Sequence, residues 1–145
     1  MVNVASILRP AALLAINLLL VMIWGFAGLG KLREGMPAWF DGKFGKTFFA
    51  TFPGLPATFW LLTISELLAF ALAIAALVRI EFVRRRPANL LSAAAVWSLF
   101  VFLQLGFGQW LTGDFNGAFQ QFMYFCGTLL ALQFVQASIK PAAPN

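Results

Sequence analysis

Residues 56–80 read PATFWLLTISELLAFALAIAALVRI, and this stretch decides the fold. It contains one ionisable residue, Glu66, before Arg79. A helix needs roughly 20 mostly apolar residues to cross a hydrocarbon core of ~30 Å. The stretch therefore predicts a helix that spans a membrane, beginning near Pro56, whose missing N–H is harmless at a helix start.

Three other apolar runs have a similar length, and they cover residues 10–32, 89–111 and 118–139. The first run exceeds the roughly 7–15 residues of a signal-peptide core, so we expect it to be a retained helix. The sequence TGDFNG at 112–117 favours a tight turn between antiparallel neighbours. Together the runs predict an all-α integral membrane protein, an antiparallel bundle of four transmembrane helices forming a single domain over residues 1–145.

Composition supports a lipid environment and excludes several kinds of site. The chain is 61% hydrophobic and 10% charged, with a mean hydropathy of +0.86, whereas globular domains are roughly 45–50% apolar and ~25% charged. Its net charge of +5 comes from cations beside apolar runs, where they meet lipid headgroups, so we expect no nucleic-acid partner. With one cysteine, Cys126, and no histidine, we expect no disulfide, no protein-held metal and no redox centre of its own.

Residues 33–55, REGMPAWFDGKFGKTFFATFPGL, separate the first two predicted spans. This segment is too polar to cross lipid and too aromatic for a solvated linker. Aromatic rings favour the headgroup level, and Lys43 and Lys46 can extend their ammonium groups to water from there. We therefore predict an interfacial segment, amphipathic or re-entrant, that packs on the bundle.

The orientation follows from the cations on each side, because lysine and arginine near the membrane are retained in the cytoplasm. One side holds six cations, which are Arg9, Arg79, Arg84, Arg85, Arg86 and Lys140. The other side holds four, which are Lys31, Arg33, Lys43 and Lys46. Both termini are therefore predicted to be cytoplasmic.

Glu66 is the main candidate for a functional residue, because a charge near the middle of a span costs roughly 2.5–3.5 kcal/mol on insertion scales. Two interpretations remain open. Glu66 is either an interhelical hydrogen-bonding group or a ligand or proton site.

At a rise of ~1.5 Å per residue, other polar side chains reach the same outer half of the bundle. Lys31 can lean inward from the end of the first span, and Trp60 lies nearer the rim. The predicted ligand-binding residues are Glu66, Lys31, Gln104, Gln121, Tyr124 and Trp60. A carboxyl, two carboxamides, a phenol and aromatic walls suit a headgroup with carbonyl oxygens, such as a quinone. The glutamines are equally explained by packing between helices.

Two short motifs resemble the DoxX family of small four-helix bacterial membrane proteins. They are GFAGLGKL at 25–32 and, after WLL at 60–62, SELL at 65–68. The resemblance covers roughly residues 10–137, but Ala69 and Phe70 replace the glycines that usually follow the glutamate, and ALVR at 76–79 only approximates the family's ending of the second helix. It implies a protein of the bacterial cytoplasmic membrane linked to quinone-dependent redox or sulfur metabolism, often as a partner subunit, with Lys31 and Glu66 as the matching positions.

Three functions are compatible with these observations. The first is an accessory or quinone-associated subunit of a membrane redox complex, whose electrons come from a partner. The second is a small proton-coupled transporter that works through Glu66, and it predicts a homo-oligomer, specifically a dimer, because four helices are few for a transport path. The third is a structural assembly subunit, which would tolerate Glu66→Gln.

Overall fold

The computed structural model describes residues 4–83 and 87–139. Its first helical stretch consists of α1 (Val4–Trp24), a π-helical turn (Gly25–Leu29) and α2 (Gly30–Glu34). A short helix, α3 (Ala38–Phe44), and a 3-10 turn (Phe48–Ala50) follow. Three long helices complete the chain, and these are α4 (Leu55–Val78), α5 (Asn89–Leu111) and α6 (Phe115–Ile139).

Four helical stretches are long and apolar enough to cross a membrane, namely Ile7–Glu34, Leu55–Val78, Asn89–Leu111 and Phe115–Ile139. The described residues contain no strand. The prediction of an all-α, four-helix membrane bundle is therefore confirmed. The cations Arg84, Arg85, Arg86 and Lys140, on which the predicted orientation partly depends, lie outside the described residues.

Two helix starts differ from the sequence prediction. The first helix begins at Val4, with Pro10 inside it, because the backbone group that a proline frees is tolerated in a membrane helix. The last helix begins at Phe115 rather than 118 because Asp114 caps it. The Asp114 Oδ1 atom accepts a hydrogen bond from the Gly117 N–H at 2.9 Å, the N-cap arrangement.

Neighbouring long helices pack in the order α1, α4, α5, α6, and α1 touches α6 only sparsely. Small residues allow this close packing. The alanines Ala69, Ala73 and Ala76 of α4 and Ala94 and Ala95 of α5 are fully buried in one core. Interfaces built from small residues let membrane helices approach closely.

Buried polar side chains join the first helix to its neighbours. The Trp24 indole N–H donates to the Ser98 hydroxyl at 2.7 Å, linking α1 to α5. In the amide orientation that satisfies both of its polar atoms, Asn17 donates to the Ala73 carbonyl at 2.9 Å and accepts from the Leu77 N–H at 3.1 Å. Inside a membrane such groups have no water to bond, so these pairs specify how α1 docks on the bundle.

The segment between the first two spans packs on the bundle, as predicted. Phe40 and Phe44 of α3 form a second buried cluster with Leu55 and Phe59 of α4. The Phe40 and Phe59 rings meet edge to face, with centroids 5.4 Å apart. This cluster fixes α3 beside the first two turns of α4.

Candidate functional site

An ion pair joins the end of the first span to the middle of the second. The Lys31 ammonium donates to both carboxylate oxygens of Glu66, at 2.6 and 2.7 Å. The Glu66 side chain is 1% exposed and that of Lys31 is 25% exposed. Lys31 therefore compensates the negative charge of the buried Glu66 carboxylate. The Lys31 side chain itself remains partly accessible.

Two glycines and the π-helical turn bring Lys31 into this position. A Cβ atom at Gly28 would lie only 3.2 Å from the backbone nitrogen of Leu67, and one at Gly25 would lie 2.9 Å from the Phe70 ring. The absence of side chains at these positions lets the first helix approach α4 beside Glu66. A π-helical turn widens the helix locally and changes the direction of the residues after it.

The height along the helices at which Gly28 meets Leu67 leaves space for α3. Gly28 lies beside Leu67. Gly28 is six residues before the end of α2, and Leu67 is twelve residues after the start of α4. At a rise of ~1.5 Å per residue, the start of α4 therefore extends about 9 Å further from this contact than the end of α2 does. The α3 segment packs against the part of α4 that extends beyond α2, above the Lys31–Glu66 pair.

Ser65, the residue before Glu66, connects α4 to α5. Its hydroxyl accepts a hydrogen bond from the Gln104 amide at 3.3 Å, and its backbone carbonyl accepts one from the Trp97 indole at 2.9 Å. These contacts fix the rotation of α4 and thereby the direction of Glu66.

A second ion pair holds α3 to the turn between α5 and α6. The Lys43 ammonium donates to Asp114 Oδ2 at 2.9 Å and makes a short hydrogen bond to Gln109 Oε1. Together with the Gly117 N–H, Lys43 lowers the pKa of the Asp114 carboxyl below its usual value of 3.8. Asp114 therefore caps α6 and anchors α3 while ionised.

A cavity of about 430 Å³ lies between α2, α3, α4 and α5. Its polar lining comes from Lys31, Lys43, Thr58, Gln104 and Gln109. Its aromatic walls come mainly from the segment between the first two spans and include Trp39, Phe40, Phe44, Phe49 and Phe107. The volume falls within the roughly 300–1,000 Å³ typical of ligand sites.

The two lysines that line the cavity can offer hydrogen-bond donors to a ligand. A lysine ammonium has three N–H groups and no acceptor. Lys31 directs at most two of them at Glu66, and Lys43 uses one on Gln109 and one on Asp114. Each ammonium therefore has at least one N–H for which residues 4–83 and 87–139 provide no hydrogen-bond acceptor. The site can thus present charge-assisted donors to the oxygens of a headgroup.

The structure brings only some of the predicted site residues together. Lys31 and Glu66 form the ion pair, and Gln104 joins them through Ser65. Gln121 faces α5 near Gly106, and its buried Oε1 has no partner within the described part of the chain.

Tyr124 and Trp60 lie apart from the cavity lining. Tyr124 is about half exposed and packs on Phe102, with ring centroids 5.7 Å apart. Trp60 is also exposed and packs on Phe59. Sequence reasoning missed the Lys43–Asp114 pair, for which the only signals were a cation in an aromatic segment and an aspartate in a predicted turn.

Among the described residues, no group of three or more cysteine, aspartate or glutamate side chains could hold a metal ion, and Cys126 is a free thiol. Comparisons with protein-family models, curated proteins and solved structures find no match for this chain.

Proposed function

We propose that this protein binds a quinone-type amphiphile in the cavity beside Lys31 and serves as an accessory subunit of a membrane redox system. The observation that supports the proposal is the combination of aromatic walls with two ammonium groups that each retain at least one N–H donor. A quinone headgroup matches this arrangement, because its carbonyl oxygens accept hydrogen bonds and its ring packs against aromatic side chains.

The size of the cavity suggests how such a ligand would lie. A volume of about 430 Å³ is at the small end for ligand sites and accommodates a headgroup with only the first part of an isoprenoid tail. The rest of the tail would continue into lipid. Trp39 and Leu61, which line the cavity and are both about 60% exposed, offer an apolar path for it.

The accessory role rests on composition and on the DoxX resemblance. The chain has one cysteine and no histidine, so electrons for a bound quinone would come from a partner subunit. The resemblance of residues 25–32 and 65–68 to the DoxX family favours the same assignment and includes Lys31 and Glu66. We place the protein in the bacterial cytoplasmic membrane with both termini in the cytoplasm.

The decisive experiment is mass spectrometry of lipids extracted from the detergent-purified protein. The wild type should carry a quinone, and Gly108→Leu should lose it, because a side chain there enters the cavity beside the Phe44 ring. Gly127→Leu is the matched control, since Gly127 has open space around it. Absence of any quinone or isoprenoid from the wild type would overturn the proposal.

The variant Glu66→Gln separates this function from the two alternatives. If the quinone is depleted, Glu66 positions Lys31 for the ligand. If the quinone is retained but a proton-dependent transport activity is lost, the transporter is favoured. A variant that keeps the quinone and all partner-dependent activity would reduce Glu66 to a packing role.

A further inference from the structure

An open groove lies at the opposite end of the bundle from the Lys31–Glu66 pair, in the seam between α1 and α6. These two helices pack on their other neighbours but only sparsely on each other. Near the chain termini the seam widens into an open groove of about 500 Å³. The groove is lined by Leu8, Arg9, Ala12, Phe134, Ala137 and Ser138.

Arg9 gives this groove a fixed positive charge. Its guanidinium donates to the Ala137 carbonyl in the last turn of α6 at 3.2 Å. A guanidinium has five N–H groups, so this bond orients the group and leaves donors for a ligand. The planar arrangement of these donors matches the oxygens of a phosphate.

The rest of the groove is suited to a hydrocarbon chain. Leu8 and Phe134 form large apolar walls, and both are exposed. Ala12 and Ala137 are small, which gives the groove its depth. Among the described residues of the lining, the only other polar side chain is the hydroxyl of Ser138.

We infer that this groove binds an anionic phospholipid, with the phosphate on Arg9 and an acyl chain along Leu8, Ala12 and Phe134. Arg9 lies two residues inside the start of the first candidate span, Ile7–Glu34, and beside the last turn of α6, with the apolar walls next to it. Charge complementarity therefore favours an anionic lipid over a packed protein helix. Cations beside spans attract anionic headgroups in this way.

Native mass spectrometry of the purified full-length protein tests the inference. Phosphatidylglycerol and phosphatidylcholine with identical acyl chains are titrated against it. The wild type should retain phosphatidylglycerol preferentially. Arg9→Gln should weaken its binding about tenfold, the expected effect of one lost charged hydrogen bond. Arg33→Gln, at the other end of the first span, should leave the preference unchanged.

A second variant keeps the test valid if Arg9→Gln impairs folding. Ala137→Leu fills the groove without removing the charge and should reduce binding of both lipids. An unchanged preference in Arg9→Gln, or unchanged binding in Ala137→Leu, would overturn the inference. Competition by inorganic phosphate as effective as that of phosphatidylglycerol would also overturn it, because the acyl chain would then contribute nothing.

Discussion

The Lys31 ammonium contacts both carboxylate oxygens of Glu66, at 2.6 and 2.7 Å, from the end of one span to the middle of the next. This pairing explains how a carboxylate is accommodated there. Two charges in a low-dielectric site stabilise each other only when they are well aligned, and removal of one leaves the other uncompensated.

We expect either single variant, Lys31→Met or Glu66→Gln, to destabilise the protein by up to about 3–5 kcal/mol, the range for a broken buried pair. The partial exposure of Lys31 reduces this effect. The double variant should be more stable than Lys31→Met, because it leaves no charge unpaired. Thermal unfolding in detergent, followed by circular dichroism, measures all three. Additive losses in the double variant would contradict the coupling.

Gly28→Ala should destabilise the bundle by about 1–3 kcal/mol, the usual cost of overpacking. The added methyl group would lie 3.0 Å from the Leu67 side chain and 3.2 Å from its backbone nitrogen, so the π-helical turn and α4 would have to separate. Gly30→Ala is the matched control, because no atom of a neighbouring element in the described part of the chain lies within 4 Å of the added methyl group. Equal unfolding temperatures for the two variants would show that the helices separate without cost.

Ser98→Ala should cost about 1–3 kcal/mol, because it leaves the buried indole N–H of Trp24 without its acceptor. Ser92→Ala should have a much smaller effect. The buried hydroxyl of Ser92 has no hydrogen-bond partner in residues 4–83 and 87–139. Equilibrium unfolding by denaturant gives both values, and a larger loss for Ser92→Ala would exclude this account of the α1–α5 contact.

Acid should weaken the attachment of α3. Lys43 and the Gly117 N–H hold the pKa of Asp114 below 3.8 in the folded protein. Their stabilisation is therefore present above about pH 3.8 and is lost as the pH falls through the lower, folded-state pKa. Asp114→Asn keeps an N-cap acceptor but removes the charge.

Unfolding temperatures of the wild type and of Asp114→Asn between pH 2 and 6 measure this effect. The wild type should be more stable at pH 6, and the difference should shrink towards pH 2. A difference that stays constant over this range would mean that the charge of Asp114 does not hold α3.

The proposed orientation predicts opposite labelling of two cysteine variants. In a Cys126→Ala background, Lys46→Cys should react with a membrane-impermeant maleimide in intact spheroplasts. Val83→Cys, in the turn after α4, should react only after lysis. The reverse pattern would place both termini outside the cytoplasm.

The sequence alone determined the spans. In lipid every backbone polar group must be bonded within its own segment, so a long apolar run is constrained to be a helix. That constraint depends on length and composition, which the sequence states directly. The turn after Leu111, which the structure shortens to residues 112–114, and the separate character of residues 33–55 followed from local chemistry in the same way.

Only the tertiary structure decided which side chains meet. Each residue turns a helix by about 100°, and apolar surfaces towards lipid and towards a neighbour have similar composition, so the sequence did not reveal that Tyr124 and Trp60 lie outside the cavity. The Lys31–Glu66 contact also required the π-helical turn and the glycines beside α4. The Lys43–Asp114 pair joins residues far apart in the chain. Such contacts depend on helix rotation and relative height, which packing sets and local sequence does not.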